Sequence, residues 1–320
     1  MISKKDLICY LKNDWHLVKS DAFIKCLVNP LSKMFNVTLK QFDFEDLLQQ
    51  KEKIIIFLFI PTFLDNQECR TYITQNSNMN RYFWVPMWDW IHVWGVKEWE
   101  LIPKNMGIIC FCYKLYLFLK QIKRLRVLYL KFYHRPYDPV SYDHGVVLAY
   151  WNRTNLYSKE FLIELCKNLR ATRFLYLDKL DPDYEKRFEL PEKIENTKVV
   201  VYKNWANSEE YQHILSESNV FLCPRNVEGV GLSFIEQFSR GSVCFSVDHA
   251  TMNEYIKHKC NGYLFSNLET NDVNWSEVRN LNLKKVSKQV RKDANIGYRI
   301  WVLYHQQRLF SFILQDVSHV

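Results

Sequence analysis

The chain contains little glycine. Eight of its 320 residues are glycine, about 2.5% against a usual content of about 7%. Such scarcity excludes a collagen-like chain, a glycine-rich linker and a low-complexity sequence. Four of the eight, Gly229, Gly231, Gly241 and Gly262, lie close together in the sequence. We expect the backbone around them to need positive φ angles or close approach by other groups.

Long apolar runs and paired cysteines are also missing. The longest apolar stretches, Ile54–Ile60 and Met106–Leu119, are shorter than the roughly 20 residues of a membrane-spanning helix. Residues 1–20 show neither the apolar core nor the cleavage site of a secretory signal. The nine cysteines include no C-x-x-C pair, which favours reduced thiols over a disulfide or zinc framework. We therefore expect a cytoplasmic protein that does not span a membrane.

Basic residues are in excess. Lys and Arg number 43 against 35 Asp and Glu, which gives a net charge of +8 at pH 7. A basic balance favours polyanionic partners, such as nucleic acid, an anionic membrane face or phosphorylated small molecules. No zinc spacing, helix-turn-helix or RNP-like segment accompanies the charge, so we expect no nucleic-acid partner.

Strand-like and helix-like segments alternate along the chain. The continuous apolar run Lys53–Ile60 is typical of a parallel strand buried on both faces. The alternation stops at His134–Pro139, where two prolines predict a linker, and resumes at the strand Gly145–Ala149. This pattern predicts the α/β class with two Rossmann-like domains. Ligands of such sheets bind beyond the carboxyl ends of the strands, so the two domains would face each other across a cleft.

The segment Phe221–Gly241 is the most informative part of the sequence. A buried strand ends at Pro224, a loop with two glycines follows, and a helix begins near Leu232. The first N–H groups of a helix have no partner within it and attract anions. With Gly231 allowing close approach, this helix end predicts a binding site for a phosphate or diphosphate.

Two glutamates in this segment are candidates for binding a sugar nucleotide. Glu236 lies about one turn into the helix, where a carboxylate suits a bidentate contact with two ribose hydroxyls. Glu228 precedes the helix and could reach the hydroxyls of a sugar beyond the diphosphate. The alternative is that Glu228 is a solvated loop charge and Glu236 an ordinary surface residue of an amphipathic helix.

Glu228 and Glu236 stand in an E-x7-E frame, and the segment resembles the donor-binding signature of the family 4 retaining glycosyltransferases of the GT-B fold. The resemblance covers about residues 145–265 and, in the N-terminal half, only the order of elements. It implies transfer of a sugar, with retention, from a nucleotide-sugar donor to a hydroxyl of a glycan or lipid-linked acceptor. Such transfers build surface polysaccharides and other glycoconjugates.

The resemblance also implies roles for single residues. Glu228 would contact the donor sugar and Glu236 the ribose, while the backbone amides of Gly231, Leu232 and Ser233 would bind the diphosphate. The further implied contacts are those of Arg153 and Lys159 with phosphate, and of Asn204 and Trp205 with the base. These basic groups and the helix end would stabilise the leaving diphosphate, so we expect no metal ion and no other cofactor.

The resemblance also implies that the two domains bind different substrates. We expect residues 1–138 to form an acceptor-side domain and residues 139–290 the nucleotide-sugar domain, with residues 291–320 returning to the first. The aromatic residues near the middle of the first domain either pack in its core and make interdomain contacts, or they form a sugar- or lipid-facing platform. They include Trp84, Trp88, Trp90, Trp94 and Trp99.

The chain departs from the family's pattern at three places. Arg225 replaces the serine that usually follows Pro224, and the loop His249–Asn253 replaces a Gly-Gly loop. A histidine followed by an aspartate is common in the family's first domain, where this chain has Asp89 and His92 as candidate acceptor-site or catalytic residues. The altered loop keeps open a different function, that of a catalytically inactive GT-B scaffold or nucleotide-binding protein.

Two further features have competing interpretations. Asp181-Pro182-Asp183 is formally a metal-binding D-x-D triplet, but its proline and charged surroundings favour a surface turn. No acidic residue occurs from Leu101 to Tyr137, whereas basic residues recur from Lys104 to Arg135. A helix there could lie on an anionic membrane as a peripheral contact, or it could present a solvated basic face.

Overall fold

The computed structural model of the chain describes residues 4–11, 21–58, 64, 66–182, 184–185, 188–204 and 208–315. Contacts divide these residues into two compact units. The first unit runs to Phe132 and takes up the chain again from Arg299, and the second is Tyr133–Tyr298. Within the described residues, no helix has both the length and the apolar character needed to cross a membrane.

The first unit is built on a parallel sheet of six strands. The strands are β1 (Lys5–Leu11), β2 (Phe35–Gln41), β3 (Ile54–Leu58), β4 (Arg81–Val85), β5 (Gly107–Cys110) and β6 (Arg126–Tyr129). They pair in the order β2-β1-β3-β4-β5-β6, and every pair is parallel. All five residues of β3 are buried, as the continuous apolar run predicts.

Helices connect these strands. They are α1 (residues 21–31, with a π-helical centre at Ile24–Val28), α2 (Phe44–Gln49), α3 (Gln67–Gln75), α4 (Trp88–Ile91), α5 (Val96–Glu100) and α6 (Tyr113–Lys120). Trp84 and Trp99 are fully buried, and their ring centroids lie 5.4 Å apart. The core-packing interpretation is therefore confirmed for these two residues. Trp90, in contrast, is half-exposed.

The second unit contains a sheet of seven strands. The strands are β7 (Val146–Asn152), β8 (Ala171–Asp178), β9 (Lys193–Ile194), β10 (Thr197–Tyr202), β11 (Val220–Leu222), β12 (Val243–Val247) and β13 (Gly262–Phe265). Their order is β13-β12-β11-β7-β8-β10-β9, and only the short β9 pairs antiparallel. Two largely parallel sheets with connecting helices confirm the predicted pair of Rossmann-like domains.

The helices of the second unit differ in how deeply they are buried. They are α7 (Lys159–Leu169), α8 (Ser208–Ser216), α9 (Leu232–Arg240), α10 (Trp275–Arg279) and α11 (Leu283–Ile300). Every residue of α9 from Ser233 to Arg240 is buried, so this helix lies inside the unit rather than on its surface. The close approach at β13 requires a glycine, because a Cβ at Gly262 would lie 2.7 Å from the Cys244 carbonyl oxygen.

After α11 the chain passes through a π-helical turn, Trp301–His305, into α12 (Gln306–Leu314), which belongs to the first unit. Two arginines of the first sheet bind the carbonyl groups at the end of α12. Arg81 donates to the Leu314 carbonyl oxygen over 2.7 Å, and Arg126 to that of Phe312 over 3.3 Å. These contacts satisfy carbonyl groups that have no partner within the helix.

The unit boundaries lie at 132 and 298, whereas the sequence suggested 138 and 290. The residues between the expected and observed boundaries, 133–138 and 291–298, belong to the second unit and contact its side chains. The ring of Tyr133 lies 5.2 Å from that of Tyr255, and the Arg240 guanidinium lies 4.0 Å from the ring of Tyr137. Gly297 packs closely against Tyr133, so both ends of the unit meet there.

Candidate functional site

The loops that carry the candidate residues follow two adjacent strands of the second sheet. β7 lies between β8 and β11, so the chain order reverses between β7 and β11. Ligands of open parallel sheets bind beyond the carboxyl ends of the strands at such a reversal. The loop after β7 contains Arg153, and the loop after β11 contains Glu228. The topology therefore brings together two segments that the sequence predicts to bind the donor.

Hydrogen bonds join these two loops. The Thr154 hydroxyl donates to the Pro224 carbonyl oxygen over 3.3 Å, and the Tyr157 hydroxyl donates to that of Cys223 over 3.1 Å. Asn152, at the end of β7, binds the side chain of Asn155 in the same loop over 3.0 Å. The position of the β7 loop thus depends on the backbone of the β11 loop.

Helix α9 begins at a glycine with a left-handed backbone conformation. Gly231 has a φ of 71°, and a Cβ there would lie 2.1 Å from the Phe234 ring, so only glycine fits. The first hydrogen bond of the helix runs from the Ile235 amide to the Gly231 carbonyl oxygen. The amides of Leu232 and Ser233 precede it and have no acceptor within the helix. Free N–H groups at the start of a helix attract anions, so the phosphate site at Gly231–Ser233 stays a prediction.

Glu236 lies in the interior of the second unit. Its side chain is 1% exposed, and the Gln212 amide on α8 donates to it over 2.6 Å. Arg240 in turn donates to the Gln212 side-chain oxygen over 2.8 Å. The alternative that Glu236 is an ordinary surface residue is therefore wrong. An ionised carboxylate can only accept hydrogen bonds, as Glu236 does from Gln212.

Glu228 is also buried, with 7% of its surface exposed. Its backbone carbonyl accepts a 2.6 Å hydrogen bond from the fully buried Thr251 hydroxyl. Thr251 belongs to His249–Asn253, the loop that departs from the family's pattern. The alternative of a solvated loop charge is wrong for Glu228, and the altered loop supports the residue.

Arg153, Asp181 and Arg225 form an ion-paired cluster. The Arg153 Nη2 and Nε lie 3.0 Å and 3.1 Å from Asp181 Oδ1, and the Arg225 Nη2 binds Oδ2 of the same carboxylate. A turn is present, since the Tyr184 amide donates to the Asp181 carbonyl oxygen. The turn lies at the surface as predicted, since Pro182 and Tyr184 are exposed, but the Asp181 side chain is only 18% exposed. Asp183 lies outside the described residues.

The charges of this site act on the buried Tyr211 hydroxyl. Burial raises the pKa of Tyr211 well above its usual value, and the carboxylates of Glu236 and Glu228 raise that pKa further. Arg153 acts in the opposite direction. The pKa of this one hydroxyl group on α8 therefore depends on all three charged side chains.

The other predicted donor residues are less closely grouped. Lys159 is the first residue of α7, which Ser158 caps by accepting from the Phe161 amide over 3.1 Å. Lys159 is half-buried. Asn204 is exposed two residues after β10. Trp205 lies outside the described residues, so its predicted contact with the base remains a prediction.

Asp89 and His92 belong to helix α4 and the residue after it, in the first unit. The exposed His92 ring contacts the Asp89 carbonyl oxygen through Nδ1 at 3.1 Å. The two residues are therefore neighbours within one helical turn. Their roles remain predictions.

Four residues at the site had no predicted role. Spacing along the chain gives no signal for Gln212 or Thr251, because each reaches its glutamate through packing. Arg225 and Asp181 were visible as unusual residues, a replaced serine and a D-x-D triplet, but the ion pair between them was not. Among the described residues, no three His, Cys, Asp or Glu side chains form a group that could hold a metal ion.

Sequence comparison connects this part of the chain with known proteins. Residues 160–294 match the family model described as glycosyl transferases group 1. The match covers less than half of the chain, but it includes the candidate donor site from Asp181 to Glu236. It supports the superfamily of GT-B glycosyltransferases. No curated protein is similar enough in sequence to match the chain.

Solved structures show the same architecture. HepE from Anabaena, in complex with UDP and glucose, gives a TM-score of 0.60 at 10% identity, over 96% of this chain and 98% of that one. The lipopolysaccharide outer core galactosyltransferase WaaB gives a TM-score of 0.58 at 12% identity, over 97% of this chain and 99% of that one. TarM gives 0.56 at 14% identity over 82% of this chain but only 55% of its own. These likenesses show the GT-B fold, and the chain spans about half the length of TarM.

Proposed function

We propose that the protein is a retaining glycosyltransferase that moves a sugar from a nucleotide-sugar donor to an acceptor hydroxyl. One observation carries the proposal. The N-terminus of α9, the Arg153 guanidinium and two buried carboxylates, Glu228 and Glu236, belong to loops and a helix at the carboxyl ends of β7 and β11. The family match over residues 160–294 and the GT-B fold support the same function.

The donor diphosphate would bind at the start of α9. The amides of Leu232 and Ser233 and the positive end of the helix offer donors to its oxygens. Arg153 and Lys159 would add charged contacts on the adjacent loop and helix. These groups would stabilise the negative charge that develops on the departing diphosphate, in place of a metal ion.

The ribose would bind the carboxylate of Glu236. That carboxylate already accepts from Gln212, so ribose hydroxyls must replace or share the Gln212 contact. UDP is the first nucleotide to test, since the HepE structure contains UDP and glucose and a TarM structure from S. aureus contains UDP. Glu228 would contact the transferred sugar, and retention rests on the likeness of these two glutamates to the E-x7-E frame.

The acceptor would bind the first unit, with Asp89 and His92 as candidate contacts. A glycan or lipid-linked acceptor, as in the synthesis of a surface polysaccharide, agrees with the likeness to an outer core galactosyltransferase of lipopolysaccharide. A test of this part is transfer to a panel of saccharides and lipid-linked saccharides by the wild-type protein and by the Asp89→Asn and His92→Asn variants.

One face of the first unit supports peripheral membrane binding. Helix α6 and the turn Trp301–His305 both contact the edge strand β6, because the Tyr129 ring lies 5.1 Å from that of Tyr113 and 6.5 Å from that of His305. Neither residues 101–137 nor residues 299–315 contain an acidic residue. We define the basic apolar face as Tyr113, Leu117, Lys120, Ile300, Leu303, Tyr304 and Arg308. Its exposed apolar side chains, the exposed Lys120 and the partly exposed Arg308 suit an anionic membrane surface.

An inactive nucleotide-binding protein is the alternative, favoured by the unusual loop His249–Asn253. The deciding experiment measures melting temperature against a panel of nucleotide sugars, followed by transfer from any that bind. A ligand that binds only the folded state raises the melting temperature. Binding with turnover, undiminished by EDTA, supports the proposal. Binding without turnover supports the inactive protein, and turnover that needs added manganese contradicts metal independence.

A further inference from the structure

Two arginines from separate loops bind one carboxylate in the second unit. Arg153 follows β7, Asp181 follows β8 and Arg225 follows β11. Each arginine uses a different oxygen of Asp181, so the guanidinium groups lie on the two sides of one carboxylate. All three side chains are between 18% and 22% exposed, so the cluster is largely shielded from water but remains accessible.

The position of Arg153 is set by several contacts. Its guanidinium lies 4.6 Å from the centre of the Trp151 ring, and the indole N–H of Trp151 donates to the Lys179 carbonyl oxygen over 2.8 Å. The Asp181 amide also donates to the Arg153 carbonyl oxygen over 2.9 Å. Asp181 contacts Nε and Nη2 of Arg153, and the Nη1 group is a further donor that this contact does not use.

Arg225 is placed where it could meet the same ligand as Arg153. It lies three residues before Glu228, in the loop that leads to the phosphate-binding start of α9. The cluster of two cations and one anion carries a net positive charge, and guanidinium groups bind phosphate oxygens in paired, directional contacts. A serine at this position would supply neither the charge nor the reach of an arginine.

We propose that Arg225 is a second phosphate-binding arginine and that Asp181 is a positioning residue, which holds Arg225 beside Arg153 for the donor diphosphate. The inference rests on the proposed function, because it concerns the same donor. It adds one arginine contact and one orienting carboxylate to that donor site. Asp181 then acts through the two arginines and has no contact with the ligand.

The test measures binding of UDP, inorganic pyrophosphate and uridine by calorimetry, with the full chain. We expect Arg225→Ser to weaken binding of UDP and pyrophosphate about ten- to a hundredfold, the usual effect of losing a charged hydrogen bond. Arg225→Lys should restore part of the loss, since it keeps the charge. Uridine affinity should not change. The control is Arg135→Ser, which removes an exposed arginine of the same unit.

Asp181→Asn is the most decisive variant. Asp181 either positions the arginines or only masks their charge, and these two roles predict opposite changes in UDP affinity. A positioning role predicts weaker UDP binding although a negative charge is removed. If Asp181 only masked the arginines, the variant would bind UDP more tightly, and that outcome overturns the inference. The control Asp143→Asn makes the same charge change at an exposed site. The melting temperature without ligand shows whether each variant folds.

The outcomes separate this inference from the proposed function. A wild-type protein that binds neither UDP nor pyrophosphate contradicts both. A wild-type protein that binds UDP, together with unchanged affinity in Arg225→Ser, contradicts only the role of Arg225. Loss of uridine affinity in parallel with that of UDP would show a general structural defect and would also contradict the specific role.

Discussion

Gln212 and Glu236 are joined by a 2.6 Å hydrogen bond between two different helices, α8 and α9. Arg240 binds the other end of the Gln212 amide, so a cation, an amide and a carboxylate form one chain in a buried place. A buried carboxylate needs such partners, because an unpaired one is strongly unfavourable. The proposed ribose contact must therefore compete with a partner that is already present.

Replacement of Gln212 tests whether ribose competes with it for Glu236. We expect Gln212→Ala to lower the free energy of unfolding by about 1–3 kcal/mol, because Glu236 loses a partner. UDP should raise the melting temperature of this variant more than that of the wild type, since ribose hydroxyls would supply the missing contact. The matched control is Gln289→Ala, which removes a 2.8 Å bond from a glutamine to Asp293 on α11. Equal shifts in the wild type and in Gln212→Ala would contradict the ribose role.

The start of α9 provides a second prediction. Gly231→Ala should destabilise the protein by at least the 1–2 kcal/mol that a left-handed backbone costs other residues, because the new methyl group would also overlap the Phe234 ring. Affinity for pyrophosphate should fall as the helix end shifts. Calorimetry and urea unfolding measure the two effects. Gly95→Ala is the control, since its methyl group would make only an ordinary 3.4 Å contact with Glu98. Unchanged pyrophosphate binding in Gly231→Ala would argue against the helix end as the anion site.

Some features of the fold follow directly from the sequence, for a physical reason. Strands buried on both faces carry continuous apolar runs, so β3 at Ile54–Leu58 and β12 at Val243–Val247 could be predicted closely. Helix α3 could not be predicted from the sequence. Only Cys69 and Ile73 of Gln67–Gln75 are buried, so the apolar pattern of this helix is weak.

The candidate site divides in the same way. The start of α9 has a local signature, since Gly231 must adopt a left-handed backbone and the helix follows at once. The contacts of Gln212 with Glu236 and of Asp181 with Arg225 join residues 24 and 44 positions apart. Such pairs form when separate strand–helix units pack together. Polar residues have no periodic sequence pattern from which these contacts could be predicted. Burial of the two glutamates was therefore not predictable from their spacing.

His305 predicts a dependence of stability on pH. Burial, together with the charges of Arg308 and Lys131, lowers the pKa of His305 from 6.5 to about 4. Between about pH 6.5 and pH 4, His305 is therefore protonated in the unfolded chain but not in the folded chain. The contribution of His305 to stability is full above about pH 6.5 and is lost as the pH falls toward 4.

The measurement is urea unfolding of the wild type and of His305→Phe at pH 4, 5, 6 and 7.5. We expect the wild type to lose more stability than the variant across this range, because phenylalanine has no proton to bind. His144→Phe, which changes an exposed histidine, is the control. If His305→Phe loses stability as steeply as the wild type, His305 does not titrate in this way.

The basic apolar face predicts selective binding to anionic vesicles. The protein should sediment with vesicles that contain phosphatidylglycerol and not with phosphatidylcholine vesicles, and added salt should release it, because the attraction is electrostatic. Leu303→Ser should weaken the binding, since Leu303 is 74% exposed and would enter the interface. Val201→Ser, at an exposed site of the second unit, is the control. Equal sedimentation with both kinds of vesicle would count against this surface.

The two glutamates should affect different steps of the transfer. Glu236 is proposed to hold the ribose in both the ground and transition states, so Glu236→Ala should weaken UDP and UDP-sugar binding alike, by about ten- to a hundredfold. Glu228 is proposed to contact the sugar, where charge develops as the glycosidic bond breaks. Glu228→Ala should therefore keep near-normal affinity for UDP while it loses turnover.

Calorimetric binding of UDP beside steady-state transfer distinguishes the two roles. Because both side chains are buried, each alanine variant is accompanied by the glutamine variant, which keeps the volume and removes the charge. Glu269→Ala, at an exposed site, controls for a change of net charge. Loss of UDP binding in Glu228→Ala but not in Glu236→Ala would reverse the two roles. If both variants bind UDP and transfer sugar as the wild type does, the E-x7-E frame has no part in the reaction and these glutamates serve only the packing of α9 and its loop.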